Sequence, residues 1–423
     1  MAPPLSGSRF QVPGYRNIAV LLVLGALIFA LTGCSTVPRA YVEPAPLTQA
    51  DRASLNARVF DATWELVRDR HFDRHLRGVD WAAMPAKYRA DAVAAPNDAT
   101  LYGVLDRMCA DLHESHLTPL PPRRTHELKT ERRMAVGMGW MPLEGRNVVT
   151  DLVPGSPAAE AGVQPGWIVV SCNGLLLGGG DPVWPQPGRP VTYGFLDLAN
   201  EPRTITFQPQ LIKVTRLASQ ELPGGYRYLR FDRFDRESLL WLSRELKAHR
   251  SAPGVVLDLR DNPGGYLYTA NLAIAQFFTH RVATGQAVRR SGRVSEGHGW
   301  PLLSARYGGR VIVLTGPDTA SAAEIFAHVL QYEKRATVVG RRTAGAVVIS
   351  RTYPLPGGGT LQVPIQDYRG RDGRRLEGHG VRPDVAIAPA GLDDLRHGHD
   401  PDLAGALALL AAPRGNTFAA ARE

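Results

Sequence analysis

The stretch Val311 to Glu324, VIVLTGPDTASAAE, leaves a chain few ways to fold. Four branched apolar residues, Val311, Ile312, Val313 and Leu314, read as a buried strand; Gly316-Pro317-Asp318 stops it, and Ala322 to Leu330 runs on at helical period. Ser321 therefore sits where a strand hands over to a helix. There its hydroxyl can project from the end of a sheet, with the first free N–H groups and the positive dipole end of the helix beside any oxyanion that forms. A serine at this point is also an ordinary helix cap, and the stretch alone does not separate the two readings.

The surrounding sequence repeats the alternation. Gly225 to Phe231 reads as a strand, Glu237 to His249 as an amphipathic helix, and Gly254 to Leu259 as a strand ending in Asp258-Leu259-Arg260-Asp261-Asn262-Pro263-Gly264-Gly265. A helix follows over Tyr268 to Phe278, then Thr337 to Val339 as a strand and Val347 to Pro364 with a Gly357-Gly358-Gly359 turn. Strands alternating with helices specify an α/β fold with a mostly parallel sheet covered by helices on both faces. Gly264 and Gly265 at a strand's end let backbone N–H groups approach a ligand closely; a tight turn is the plain alternative.

Upstream, Leu55, Val59, Phe60, Trp64 and Val67 recur at three and four, and Leu101, Val104, Leu105, Met108 and Leu112 share a helix face from Asp98. This helical region ends in His113-Glu114-Ser115-His116. Two histidines beside a carboxylate invite a metal reading. The zinc-helix motif needs histidines four apart, these are three apart, and no third ligand is evident, so no metal is expected. From Arg133 to Gln210 the character changes to short strands and glycines: Gly137-Met138-Gly139-Trp140, a strand at Val148 to Val153, a short helix from Pro154 to Gly162, and a strand from Ile168 to Cys172.

The 423 residues require two or three domains after a targeting segment. Their formal charge of +9 does not mark a nucleic-acid binder, because basic residues are interleaved with 40 acids and form no basic run or aromatic-basic platform. Only Lys87, Lys129, Lys213, Lys247 and Lys334 are lysines, which limits any catalytic role for that residue type. Arg9 and Arg16 precede an apolar run from Ile18 to Leu31, short for a membrane span, and Leu31-Thr32-Gly33-Cys34 follows. That ending resembles the lipobox of bacterial lipoproteins. The resemblance implies cleavage before Cys34, lipidation of its thiol and an extracytoplasmic, membrane-anchored protein; Ser35 in place of aspartate favours an outer membrane facing the periplasm. A plain N-terminal anchor helix is the alternative. Cys109 and Cys172 either pair or remain buried thiols.

Residues 133–210 resemble a PDZ domain, with the Gly-x-Gly-aromatic loop, short helix and second turn in order. In that family the loop, here Gly137, Met138, Gly139 and Trp140, offers backbone N–H groups to the terminal carboxylate of a peptide that adds as an edge strand. Asp258 to Gly265, Thr319 to Glu324, Val338-Val339-Gly340 with Thr343-Ala344-Gly345, and Glu377 to Asp384 together resemble the tail-specific, or C-terminal processing, serine peptidases. The implied organisation is a signal peptide (1–33), a linker (34–50), a helical N-terminal domain (51–122), a PDZ-like domain (133–210), a serine peptidase catalytic domain (211–390) and a helical tail (391–423).

The family has two catalytic schemes. In the processing branch a lysine follows the Thr-x-Gly as general base, and here that position is Ala346. The tricorn-core branch uses serine, histidine and glutamate, which Ser321, Ser115-His116 and Glu377 match. The resemblance then implies that Ser321 Oγ attacks a peptide carbonyl, His116 takes its proton, Glu377 polarises the relay and Ser115 bridges the two. Backbone N–H groups of Ala322 and of Gly264 or Gly265 would bind the oxyanion. Neither metal nor organic cofactor is required, and the partner is a polypeptide engaged by its C-terminus. Glu114 beside Ser115 and Pro263 within the glycine run depart from the family pattern. His379 is a rival proton carrier without a motif match. A non-catalytic binding protein on the same fold, or a PDZ-led scaffold, is the alternative function, and retention of Ser321, His116 and Glu377 argues against both.

Overall fold

A computed structural model describes residues 40–178, 188–213, 216–302 and 306–413. The expected signal segment and Cys34 lie outside them. Among the described residues no helix is long and apolar enough to cross a membrane.

The chain opens with α1 (Gln49–Arg70), capped by the Thr48 side chain, followed by α2 (Met84–Ala94) and α3 (Asp98–Ala110), the last capped by Asn97. Their buried faces meet around Phe60, Trp81, Leu101, Leu105 and Met108. Such a face, repeating at three and four, is what the spacing of Val59, Leu101 and Leu105 expects. Next come β1 (Thr118–Leu120), α4 (Pro122–Thr130) and β2 (Arg132–Ala135).

A six-stranded antiparallel sheet then forms from β3 (Met138–Leu143), β4 (Arg146–Leu152), β5 (Ile168–Cys172), β6 (Leu175–Leu176), β7 (Val191–Leu196) and β8 (Pro202–Phe207), with the short α5 (Pro157–Glu160) after β4. It has its own core of Val149, Val169, Tyr193, Phe195 and Phe207. β3 is an edge strand. β9 (Gln210–Lys213) returns to pair with β2, so one antiparallel ribbon carries the chain into and out of this sheet.

The rest comprises β10 (Leu217–Leu222), β11 (Tyr226–Phe231), α6 (Arg236–Ala248), β12 (Gly254–Asp258), α7 (Leu267–Ala275), β13 (Val282–Arg289), β14 (Val294–Gly299), β15 (Arg310–Thr315), α8 (Ala322–Tyr332), β16 (Thr337–Gly340), β17 (Ile349–Pro354), β18 (Thr360–Arg369), β19 (Val385–Ala386), α9 (Leu392–Arg396) and α10 (Pro401–Ala411). The central sheet has the order β10-β11-β12-β15-β16-β19 and is parallel except for the β10–β11 pair. On one face α6, α7 and α8 pack through Leu242, Ile274, Phe326 and Leu330. On the other, Val256, Ile312, Leu314 and Val339 meet Ala406 and Leu410 of α10. Both faces of β15 are thus covered, which accounts for its unbroken apolar run.

An antiparallel sheet, β1-β18-β13-β14 with β17 beside β18, stands apart from the expected pattern. Its β1–β18 register joins Thr118–Leu120 to Thr360–Gln362 and so ties the exit of the N-terminal helices to the C-terminal half. Cys109 lies in the helical core and Cys172 in that of the β3–β8 sheet; both are buried free thiols.

Candidate active site

The carboxyl ends of β12, β15 and β16 converge where three turns meet. The first turn leaves β15 and delivers Ser321 with φ 56° and ψ −120°, a backbone conformation that β-carbon crowding disfavours outside glycine. Its N–H donates to Ala346 O at 2.8 Å and to Glu324 Oε2 at 3.0 Å. Glu324 thereby makes the return half of a capping box, so the helix-cap reading holds part of the truth. It does more than cap. Fully buried in an otherwise apolar helix turn, its carboxylate also accepts from Thr343 Oγ1 at 2.5 Å, Gly345 N at 2.8 Å and Ala346 N at 2.9 Å. Burial raises its pKa, and those four donors oppose the rise. One side chain so fastens the turn after β16 to the backbone of Ser321.

The second turn leaves β12. Gly264 (φ +97°) packs so closely that a Cβ there would lie 2.7 Å from Ser321 Cβ and 2.9 Å from Ala322 N. At Gly265 (φ +145°) it would lie 2.3 Å from Phe234 O. Glycine is required at both positions by approach and by φ. Asn262, fully buried, shapes the turn: its Nδ2 donates to Phe231 O at 2.7 Å and its Oδ1 accepts from Gly264 N at 2.9 Å. Among the described residues, no acceptor meets the N–H of Gly265 or of Ala322. This narrows the expected pair of anion-binding donors, because the Gly264 N–H is already engaged.

Behind this turn lies a partly buried ionic cluster. Arg260 donates to Asp258, to Asp400 at 2.8 and 2.9 Å and to Asp402 at 3.0 Å, while Arg341 Nη1 holds Asp402 at 2.6 Å. The first turn of α10 is thereby locked to the strand that bears the glycine turn. Asp261, in the same turn, pairs with Arg230 at 3.0 Å, and Arg216 and Arg230 in turn face Asp151 at the end of β4.

The third component comes from the helical exit. Ser115 Oγ lies 2.8 Å from His116 Nδ1, and Ser115 N donates to Glu377 Oε1 at 3.3 Å. Glu377, 7% exposed, accepts from Val347 N at 2.6 Å through its other oxygen. Val347 adjoins Ala346, whose carbonyl receives the Ser321 N–H. A continuous path of bonds therefore joins Ser321, Glu377, Ser115 and His116. Glu377 meets Ser115 at the main chain, and the Ser115 hydroxyl separately meets His116. Burial lowers the His116 pKa and nearby Glu377 opposes that shift, which favours the neutral ring that a general base requires.

The other candidates fall elsewhere. His379 is exposed, with Nδ1 3.0 Å from Glu377 O. His113 is also exposed; Glu114 is clamped by Arg77 and, at 3.9 Å, by Arg375. Among the described residues no group of three or more His, Cys, Asp and Glu could hold a metal ion. Gly137, Met138, Gly139 and Trp140 belong to the start of the β3 edge, where Gly137 O accepts from Val153 N at 2.8 Å. Sequence reasoning missed Glu324, Asn262 and the Arg260 cluster. A lone carboxylate among the apolar residues of Ala322 to Leu330 was the available signal for Glu324.

Comparison with known proteins identifies the fold and the relatives of this chain. Residues 225–387 match the profile of Peptidase family S41, and residues 56–110 that of the tricorn protease C1 domain. The chain is 27% identical over 392 residues to a carboxyl-terminal-processing protease of Synechocystis sp., covering 88% of this chain and 86% of that one. It is 27% identical to the chloroplastic C-terminal processing peptidase of Tetradesmus obliquus, covering 78% and 77%. Among solved structures, a photosystem II D1 C-terminal processing protease shares the fold, with TM-score 0.55, 22% identity and coverage of 84% and 97%. The tricorn protease shares it with TM-score 0.52 and 19% identity, over 85% of this chain and 37% of that one. The chain thus carries a Peptidase family S41 domain behind a tricorn C1 domain, and it is a serine-type peptidase.

Proposed function

We propose that the protein is a lipid-anchored endopeptidase that cuts extracytoplasmic polypeptides through an acyl-enzyme on Ser321. The observation that carries this reading is the bonded path from Ser321 N–H through Ala346, Val347 and Glu377 to Ser115 and His116. In the proposed reaction Ser321 Oγ attacks the substrate carbonyl as its proton passes to His116 Nε2. The imidazolium is stabilised through Ser115 by the Glu377 carboxylate, then returns the proton to the departing amine. Gly265 and Ala322 N–H groups receive the oxyanion; one such donor is worth about 3 kcal/mol in the transition state. A water then attacks the ester, and the second tetrahedral intermediate releases the acid product and restores Ser321.

The sheet of β3 to β8 acts as a PDZ domain: β3 lies at the edge of the sheet, and Gly137 to Trp140 form its start. A substrate C-terminus adding there leaves its upstream chain for Ser321, consistent with relatives named carboxyl-terminal-processing proteases. The Leu31 to Cys34 sequence supports lipid anchoring at an outer membrane, facing the periplasm. The catalytic assignment is tested by fluorophosphonate labelling of protein lacking residues 1–34, with peptide mass spectrometry. Label on Ser321 that disappears in His116→Ala is expected; folded protein that takes no label would overturn it.

A further inference from the structure

Immediately past the glycine turn, Tyr266 and Tyr268 hold their rings 5.6 Å apart and 31° from parallel, 55% and 57% exposed. Tyr266 N donates to Phe234 O at 2.7 Å, which draws the start of α6 alongside. The two tyrosines, Asp235 and Leu240 (45% exposed) consequently line one groove of about 460 Å³, with Glu131 also on its wall. Elsewhere α6 and α7 bury their large apolar side chains, as Leu239, Leu242, Leu246 and Ile274 show. Three such side chains left in water, with Tyr266 directly following Gly265, mark a place for a ligand.

Asp235 supplies an independent indication. It is 5% exposed, its Oδ1 accepts from Ser238 N at 2.7 Å, and its Oδ2 has no partner among the described residues. A buried carboxylate oxygen without a donor is costly, and a ligand that brings one gains accordingly.

We propose that this groove is a subsite for a lysine or arginine side chain of the polypeptide substrate, close to the bond that is cut. The proximity to cleavage rests on the reading of Ser321 as nucleophile. An alkyl stem would cover Leu240 and the tyrosine rings, while the cationic head takes a ring face and the uncommitted acid. Charges around the groove favour the same choice. Glu131 has no ion pair among the described residues, and Glu237 is bridged by Lys213 at 2.6 Å. Arg236, exposed on a long stem, is the opposing cation, and the positive end of α6 opposes weakly. Three carboxylates against two cations leave the groove negative. An apolar side chain would cover the rings without meeting Asp235, and an acidic one would meet like charge.

The test uses three end-blocked, alanine-rich peptides that differ only in a central arginine, norleucine or glutamate. Each is titrated into full-length Ser321→Ala protein and followed by fluorescence anisotropy. Arginine is expected to bind about tenfold more tightly than norleucine, with glutamate weakest. That ratio should fall to within about twofold in Asp235→Asn, which keeps the helix cap, and in Tyr268→Ala. Equal affinity for arginine and norleucine, or a ratio that survives both substitutions, would overturn the subsite. Since binding is read without turnover, wild-type protein that fails to cut while the arginine preference stands would remove Ser321 as nucleophile and still support the groove.

Discussion

Ser115 and Glu377 are joined through the serine's main-chain N–H, 3.3 Å from Oε1, while the same serine's hydroxyl stands 2.8 Å from His116 Nδ1. The two jobs of Ser115 are therefore separable. Ser115→Ala keeps the main-chain bond and loses only the orientation of the ring. We expect kcat to fall about tenfold with KM little changed, whereas His116→Ala removes the base and costs roughly 10²–10⁴. Progress curves on one fluorogenic peptide check both. Equal losses in the two variants would mean that the hydroxyl is a full member of the proton path.

The pH dependence follows from the burial of His116. Its pKa is lowered from 6.5, chiefly by desolvation, with Glu377 acting against the shift. The ring must be neutral to accept the proton of Ser321. Activity should accordingly rise through an acid limb lying below the ordinary imidazole value and stay level through neutral pH. Removing the opposing charge in Glu377→Gln should move that limb further toward acid while lowering the plateau. A kcat/KM profile, with circular dichroism to exclude acid unfolding, decides the matter; a limb at or above 6.5 contradicts the assignment.

Glu324 carries the most demanding local arrangement. Truncation in Glu324→Ala strands the donors of Thr343, Gly345 and Ala346 in a buried turn, while the Ser321 N–H keeps its bond to Ala346 O. A destabilisation on the order of 3–5 kcal/mol is expected, because each orphaned buried donor costs about 1–3 kcal/mol and relaxation recovers part. Glu324→Gln keeps the shape but turns one acceptor into a donor facing N–H groups, so it should be intermediate. Thermal melts measure the cost, and an unchanged midpoint in Glu324→Ala would refute it.

What the sequence discloses here is local. The β15 strand, its turn and α8 are visible because an apolar run changes period at Gly316 to Asp318. The helices before Leu112 are visible for the same reason. Long-range pairing is not: nothing in Thr118–Leu120 announces Thr360–Gln362 as its partner, nor Val282–Arg289 as a strand between β14 and β18. Strand pairing depends on tertiary neighbours more than on intrinsic preference. His116 and Glu377 stand 261 positions apart, and only the family pattern, not spacing, set them together. The polar supports were hidden for a related reason. Asn262 and Arg260 look like loop residues until the donors and acceptors they satisfy are placed around them.

Lys334 gives the sharpest discrimination between the two schemes. It is exposed, in a left-handed turn just beyond α8, whereas Ser321 precedes the first residue of that helix. The eleven residues of α8 between them span roughly 16 Å at 1.5 Å per residue, beyond the reach of a lysine side chain. The position that follows the Thr-x-Gly is Ala346, whose N–H is held by Glu324 and whose carbonyl accepts the Ser321 N–H. Lys334→Ala should therefore leave kcat/KM within about twofold of the parent, as exposed substitutions away from a site do. His116→Ala, measured beside it, should lose roughly 10²–10⁴-fold in turnover. If Lys334→Ala were as inactive as His116→Ala, the serine, histidine and glutamate relay would have to be abandoned for a lysine base, and α8 would have to be far less rigid than its buried face implies.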